Sequence, residues 1–269
     1  MDKKIGFIGA GNMATAIING LLKNKVVAPE NINVFDVNEN QLKLMAEKGV
    51  TTCDTSTKVV TDSNIIVLAV KPQNYEEVLS GVKDSVSEEK IFVSIAAGIS
   101  ISYVQKALDC KCPMVRVMPN TPLLLGKGAT ALCPSDNISE EDFSVVKDMF
   151  GLNGAVEVFT EDHMNEIIAV NGSSPAYIYL FAKAMADYAN ECNIPYESAL
   201  NLIVATLEGS AAMIKDSGDS LDTLIKKVSS PGGTTLAALK TLEDYKFYDG
   251  IKEAMKSCTN RAEELGKSS

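Results

Sequence analysis

The chain has 269 residues, 46% of them apolar and 22% charged, the balance of a globular protein large enough for two cores. Its formal net charge of −10 is spread over both halves with no run of Lys or Arg, so a nucleic-acid partner is not expected and an anionic ligand must be held by local backbone donors. One histidine and six scattered cysteines argue against a metal hydrolase or a Ser-His-Asp site; the closest pair, Cys110 and Cys112, is a C-x-C without a second pair, a poor zinc signature, and no metal is expected.

The N-terminus enters a strand pattern at once, which leaves no room for a signal peptide. A strand is expected over 4–9, a helix over 13–23 and a second strand over 32–36. Between the first two lies Gly9-Ala10-Gly11-Asn12-Met13-Ala14, a G-x-G-x-x-A run directly after a strand and opening a helix. Gly9 permits the tight turn, Gly11 leaves room for a pyrophosphate to approach the backbone, and Ala14 lets helix and strand pack closely. A plain glycine-rich turn is the alternative, but at the head of a β-α-β chain the pattern points to dinucleotide binding by Ile8, Gly9, Ala10, Gly11, Asn12 and Met13. Asp36 ends the second strand, 22 residues past Ala14, where a carboxylate accepts hydrogen bonds from the adenosine ribose and repels a 2′-phosphate. No Arg follows closely, so the site leans toward NADH over NADPH; an acidic turn residue before the next helix is the alternative. Asn38 should cap that helix, with Gln41 as in a capping box and Gly49 as terminator.

Residues 65–70 and 91–95 are continuous apolar runs, as in parallel strands buried on both faces, and further strands are expected over 115–118 and 129–133. Open α/β sheets bind ligands at the carboxyl ends of such strands. Ala69-Val70-Lys71-Pro72 leaves one of them, with Pro72 stiffening the exit and Lys71 either flanking a cofactor or lying on the surface. Ala96-Ala97-Gly98 offers a ledge of small residues for a ring, or a close helix contact. Pro119-Asn120-Thr121-Pro122 is a rigid segment that serves as a pocket wall through Asn120 or as plain turn chemistry. The rhythm implies an α/β, Rossmann-like, doubly wound parallel sheet over 1–160.

From Glu161 helical periodicity replaces strand signals, so 161–269 is expected to form an all-helical second domain. The longest uncharged stretch, 167–182, is broken by Asn171-Gly172-Ser173-Ser174-Pro175 and is too short and polar to cross a bilayer, so a cytoplasmic protein is expected. Ser174 and Pro175 fit the N-cap and first position of a helix running to Glu191, with Tyr177, Leu180, Phe181, Ala184, Met185 and Tyr188 as its apolar stripe. A helix over 196–215 is expected to bury Leu200, Ile203, Val204, Leu207 and Ala211. Such wide apolar faces predict subunit association as well as core packing. Ser229-Ser230-Pro231-Gly232-Gly233-Thr234-Thr235 interrupts the helices. Glycines leading into a helix turn backbone N–H groups toward one point, where the helix dipole favours an anion. The turn therefore suits a small carboxylate, with hydroxyls to offer a proton; simple capping is the alternative. With the N-terminal fingerprint, it points to hydride transfer to a small anionic substrate.

Read jointly, residues 5–13, 69–72, 119–122, 172–177 and 228–235 resemble the pyrroline-5-carboxylate reductase family, and the likeness runs over essentially the whole chain. Asn171 departs from it where many members have Ser, and Asp36 where many NADPH-using members have a smaller polar or basic residue. The resemblance implies reduction of 1-pyrroline-5-carboxylate to L-proline with NADPH or NADH, the last step of proline biosynthesis. It implies a C-terminal helical dimerisation domain that interlocks two copies into a homodimer or a larger ring of dimers, with each active site between one chain's nucleotide domain and the partner's helices. Under it, Ser230, Gly232, Gly233 and Thr234 hold the substrate carboxylate and Thr235 is the catalytic partner of the ring nitrogen. Glu161, at the domain junction, is a further candidate for orienting substrate or nicotinamide ribose, or else a helix-start carboxylate. A β-hydroxyacid dehydrogenase would share the fingerprint and place a catalytic lysine near Lys183, but the flanking sequence does not fit. A non-catalytic dinucleotide sensor would need no donor at Thr235.

Overall fold

The computed structural model describes residues 3–267. Eight strands form one sheet in the order β3-β2-β1-β4-β5-β6-β7-β8. They are β1 (Ile5–Ile8), β2 (Ile32–Phe35), β3 (Thr51–Thr52), β4 (Ile65–Leu68), β5 (Ile91–Ser94), β6 (Met114–Met118), β7 (Gly128–Pro134) and β8 (Gly154–Val158). The helices beside them are α1 (Asn12–Lys23), α2 (Glu39–Ala46), α3 (Ser56–Asp62), α4 (Tyr75–Val82), α5 (Ile101–Leu108) and α6 (Glu140–Gly151). Strand β1 sits between β2 and β4, so the chain reverses direction across the sheet at β1, as in a doubly wound dinucleotide fold.

The sheet is not wholly parallel. Strand β7 runs antiparallel to β6, pairing Val115 with Pro134 and Met118 with Ala131. Only residues 119–127 join the two strands, too few for the crossover that a parallel pair needs. Strand β8 then returns parallel to β7, and neither β8 nor the two-residue edge strand β3 stood out in the sequence.

Alternation along the strands builds two cores. Ile5, Phe7, Val34, Ile65, Val67, Val93 and Val117 face Ile17 and Leu21 of α1 and Val146 and Phe150 of α6. Ile8, Ile66, Leu68, Phe92 and Met114 face α3, α4 and α5, and this side also receives Ala262. Each such buried side chain contributes about 1.5–3 kcal/mol, which fixes the strand ends that carry the site.

The remaining helices are α7 (Met164–Ile167), α8 (Ser174–Glu191), α9 (Tyr196–Asp216), α10 (Leu221–Lys227), α11 (Thr234–Asp244) and α12 (Phe247–Lys267). Contacts divide the chain into a sheet unit, up to residue 175 and again from 256, and a helical unit over 176–255. Helix α8 does not start afresh at Ser174: a π turn, Ile168–Gly172, joins it to α7. The Ser174 hydroxyl donates to the Asn171 carbonyl at 3.5 Å instead of capping a free N–H. The wide turn ends just before Pro175, whose ring would clash with an ordinary helical ladder.

The helical unit buries little of its own. Among described residues 176–255, only Ala186, Ala189, Ala199 and Ile203 are buried, while Leu180 is 68% and Leu202 70% exposed. In α9, Ile203 is buried and Leu200 and Leu207 half-buried, but Val204 and Ala211 face outward, contrary to the expectation from periodicity. Periodicity identifies an apolar face without saying whether the same chain covers it. The α8 stripe instead lines an apolar cleft of about 1050 Å³ with Leu242, Phe247 and Ile251. Among the described residues no helix is long and apolar enough to cross a membrane.

Candidate active site

The fingerprint turn is built by a close approach of two strand ends. Gly9 has φ +99°, and a Cβ there would lie 2.6 Å from the Ala69 carbonyl oxygen, so no larger residue fits between β1 and the exit of β4. Gly11, at the N-cap of α1, faces open space, with nothing within 4 Å of where its Cβ would be. Helix α1 has no side-chain cap and no acidic residue in its first turn. By contrast α2, α3, α5, α6 and α10 are capped by Asn38, Thr55, Ser100, Ser139 and Ser220. The α1 start therefore offers unpaired N–H groups beside an empty backbone cradle, the donor set a pyrophosphate needs.

Asp36 lies against this turn. Its Oδ2 accepts from the Ala10 N–H at 2.7 Å and its Oδ1 from the Asn38 N–H at 2.8 Å. The Asn38 side chain caps α2 through the Asn40 N–H, but its own N–H goes to Asp36 and not to Gln41, so the reciprocal half of the expected capping box is replaced. Asp36 is thus fixed beside the glycine turn, with exposed Val37 following it.

The other strand ends carry the remaining sequence-selected residues. Ala69 and Val70 are half-buried, Lys71 is exposed and Pro72 opens a short 3₁₀ turn. Ala96 is buried in the core and Ala97 half-buried, and Gly98 makes the close helix contact that its composition allowed, against Ala262 of α12. Asn120 is buried and its amide is engaged at both ends: Oδ1 accepts from Ala129 N–H at 2.9 Å and Nδ2 donates to the Asn171 carbonyl at 3.2 Å. Asn171 in turn donates to the carbonyls of Met118 and Ala129, at 2.8 and 2.9 Å. These two amides bind the ends of β6 and β7 to the π turn.

Glu161 opens a 3₁₀ turn, and its Oε1 accepts from the Ile101 N–H at 2.7 Å and faces Arg116 Nη1 at 3.5 Å. Arg116 is 3% exposed and also donates to Asn165 at 2.6 Å. Burial lowers its pKa, and the neighbouring Glu161 carboxylate offsets part of that shift. An arginine inside the apolar run of β6 was the available sequence signal for this cluster, which sequence reasoning missed.

In the helical unit, Gly232 has φ +72° and Gly233 is the N-cap of α11, again without a side-chain cap or an acid in the first turn. A Cβ on Gly233 would lie 2.7 Å from the Ser230 hydroxyl oxygen, so only glycine closes this turn. Ser230 and Thr234 are exposed and Thr235 half-buried, and among the described residues no hydrogen bond engages the Thr235 hydroxyl. Lys183 is exposed and ion-paired with Asp187 on its own helix. Burial raises the thiol pKa of Cys53, Cys133 (to about 11) and Cys112 (to about 12). Cys110 and Cys112 lie in the coil before β6.

A mostly parallel sheet that reverses at β1, with an uncapped glycine turn at the end of that strand, defines a dinucleotide-binding fold. Residues 4–98 match the model "NADP oxidoreductase coenzyme F420-dependent", and residues 161–265 match "Pyrroline-5-carboxylate reductase dimerisation". The chain belongs to the pyrroline-5-carboxylate reductase family. It is 36% identical to the Escherichia coli pyrroline-5-carboxylate reductase over 269 residues, all of both chains. The Coxiella burnetii pyrroline-5-carboxylate reductase structure matches with TM-score 0.88 and 33% identity over 98% of this chain and 99% of that one. The Plasmodium falciparum pyrroline carboxylate reductase, solved with NADP bound, matches with TM-score 0.92 and 28% identity over 98% of both.

Asn171→Ala should cost about 2–4 kcal/mol of stability, because the Met118 and Ala129 carbonyls lose their amide donor. Urea unfolding followed by circular dichroism measures this, and a loss under about 0.5 kcal/mol would deny the amide its bridging role.

Proposed function

We propose that the chain reduces the C=N bond of 1-pyrroline-5-carboxylate to give L-proline, with residues 1–160 holding NADH or NADPH and 161–269 holding substrate and joining two copies. The observation that carries this is the glycine-led, uncapped start of α11 beside the free Thr235 hydroxyl, in a member of this reductase family. When bound, the dihydronicotinamide supplies a hydride to the imine carbon. The N–H groups at the start of α1 hold its pyrophosphate, and Ala69, Val70, Lys71, Pro72, Ala96, Ala97 and Asn120 form the strand-end floor on which the rest of the nucleotide lies. Gly232, Gly233 and Thr234 N–H groups with the Ser230 hydroxyl anchor the substrate carboxylate. Thr235 faces the ring nitrogen and holds or relays its proton, mainly by positioning. An acidic chain without a basic patch fits a cytoplasmic enzyme with no nucleic-acid or membrane partner.

Thr235→Ala should lower kcat by about 10–1000-fold while melting near the wild-type temperature. Normal turnover in this variant would remove Thr235 from the mechanism.

The association surface of the family implies that the turn of one copy serves the nucleotide half of another. Gly11→Val, which fills the cradle, and Thr235→Ala should each be impaired alone, yet after subunit exchange an equal mixture should rise to about a quarter of wild-type activity above the residual rates of the two variants, since about half the dimers are mixed and each has one intact pair. No recovery after verified exchange would place both groups in one chain.

Asp36 gives the cofactor preference. Its carboxylate, fixed by two backbone N–H groups, stands where a 2′-phosphate would meet a like charge. Wild type should show a higher kcat/KM with NADH, and Asp36→Ser should shift the NADH-to-NADPH ratio toward NADPH by about tenfold. An unchanged ratio would mean that the carboxylate only ties the turn together.

A further inference from the structure

The segment from Ile95 to the start of α5 carries Ala96 and Ala97, the ledge at the end of β5, on the side of the sheet reversal away from Asp36. Three contacts fix it. Ile95 N–H donates to the Leu68 carbonyl at 3.3 Å, tying the segment's start to β4. At its far end the Ile101 N–H donates to Glu161 Oε1 at 2.7 Å, and Glu161 is itself set against buried Arg116. Between them, Gly98 meets the last turns of α12 backbone to backbone.

That middle contact is unusually close. Gly98 has φ +80°, and a Cβ there would lie 2.4 Å from the Ala262 carbonyl oxygen. A Cβ on Gly266 would lie 2.4 Å from the Gly98 carbonyl oxygen. Glycine faces glycine, so a side chain on either must move the helix end or the segment. Ala262 is buried in the same core as Ala96, Ile99 and Ile101, and one turn earlier Cys258 Sγ lies 3.2 Å from the Ser173 hydroxyl. The helix end is therefore seated in the sheet unit, and its seat is the segment that carries the ledge.

We propose that the C-terminal turns of α12 are a positioning element for the cofactor: through Ala262 and Gly266 they hold Gly98, and with it Ala96 and Ala97, in the arrangement that receives the nicotinamide ring. This rests on the reading of the β5 end as the nicotinamide side of the nucleotide site. Ala262 and Gly266 touch neither substrate nor cofactor in this role; they act through Gly98. Glu161 acts on the same segment from the other end.

The test separates positioning from general support by comparing two ligands. NADH spans the whole site, whereas ADP-ribose lacks the nicotinamide and does not reach the ledge. Titrations on the full-length protein without substrate make the result independent of the reductase reaction. Gly266→Ala adds one methyl group near the C-terminal end of a helix, at a half-buried position where alanine suits the helix and folding should survive. It should weaken NADH binding by about 3–30-fold and change ADP-ribose binding by less than about twofold. A chain ending at Glu264 removes the Leu265 and Gly266 contacts to Gly98 without adding bulk, and should separate the two ligands in the same direction. Equal weakening of both ligands, or unchanged NADH binding in both folded variants, overturns the proposal. Wild-type protein that binds ADP-ribose but gains nothing from the nicotinamide would sink the reading of the ledge itself.

Discussion

Under the proposed function, both anions are held by backbone N–H groups that no side chain caps, at the starts of α1 and α11. The chain carries a net charge of −10, so its long-range field repels both a dinucleotide and a carboxylate. Attraction must come from short-range donors, and a helix start supplies up to four together with the positive end of its dipole. Side-chain caps normally consume these donors, as Asn38, Thr55, Ser100, Ser139 and Ser220 do here. Helices α4, α7 and α9 lack such a cap but carry an acid in the first turn, whereas α1 and α11 begin at Gly11 and Gly233 and have neither. The absence of a cap costs each helix about 1 kcal/mol or less, and the bound anion restores that contribution.

The same economy of side chains governs how the strand ends meet. Gly9 permits β1 to leave the sheet beside the Ala69 carbonyl, and Gly98 permits the β5 exit to touch α12. Around β6 and β7 the bridging side chains are short amides and a buried arginine: Asn120 and Asn171 at the strand ends, and Arg116 with Glu161. These polar links are buried or partly buried, and their value lies in geometry: breaking one leaves a carbonyl or a charge unpaired, and so the strand ends have one arrangement.

Local chemistry was legible in the sequence wherever one residue type has one physical use. The G-x-G-x-x-A turn, the Asn38 cap, the Gly49 terminator and the turn before Thr234 each require particular residues, and each stands where its spacing placed it. Features set by partners distant in sequence were not legible. The direction of β7 follows from the length of its connection, but nothing in residues 128–134 distinguishes a parallel from an antiparallel strand. Asp36 reads as a ribose ligand from spacing, while its bond to Ala10 emerges only once β2 lies beside β1. Glu161 was singled out for its position at a junction, and its engagement with Ile101, 60 residues away, has no local signature.

The helical half shows a further limit of sequence patterning, and it has a thermodynamic consequence. Residues 176–255 bury four side chains, three of them alanines, while Tyr188, Leu202, Ile214 and Leu221 are exposed. Side chains of that size contribute about 1.5–3 kcal/mol each only when water is removed from them. An eighty-residue helical segment cannot offset its conformational entropy with so little of its own core. The match of this region to a dimerisation model points to association between copies as the missing term. Folding of this half and association are then one equilibrium, and its stability is a function of protomer concentration rather than a property of the single chain.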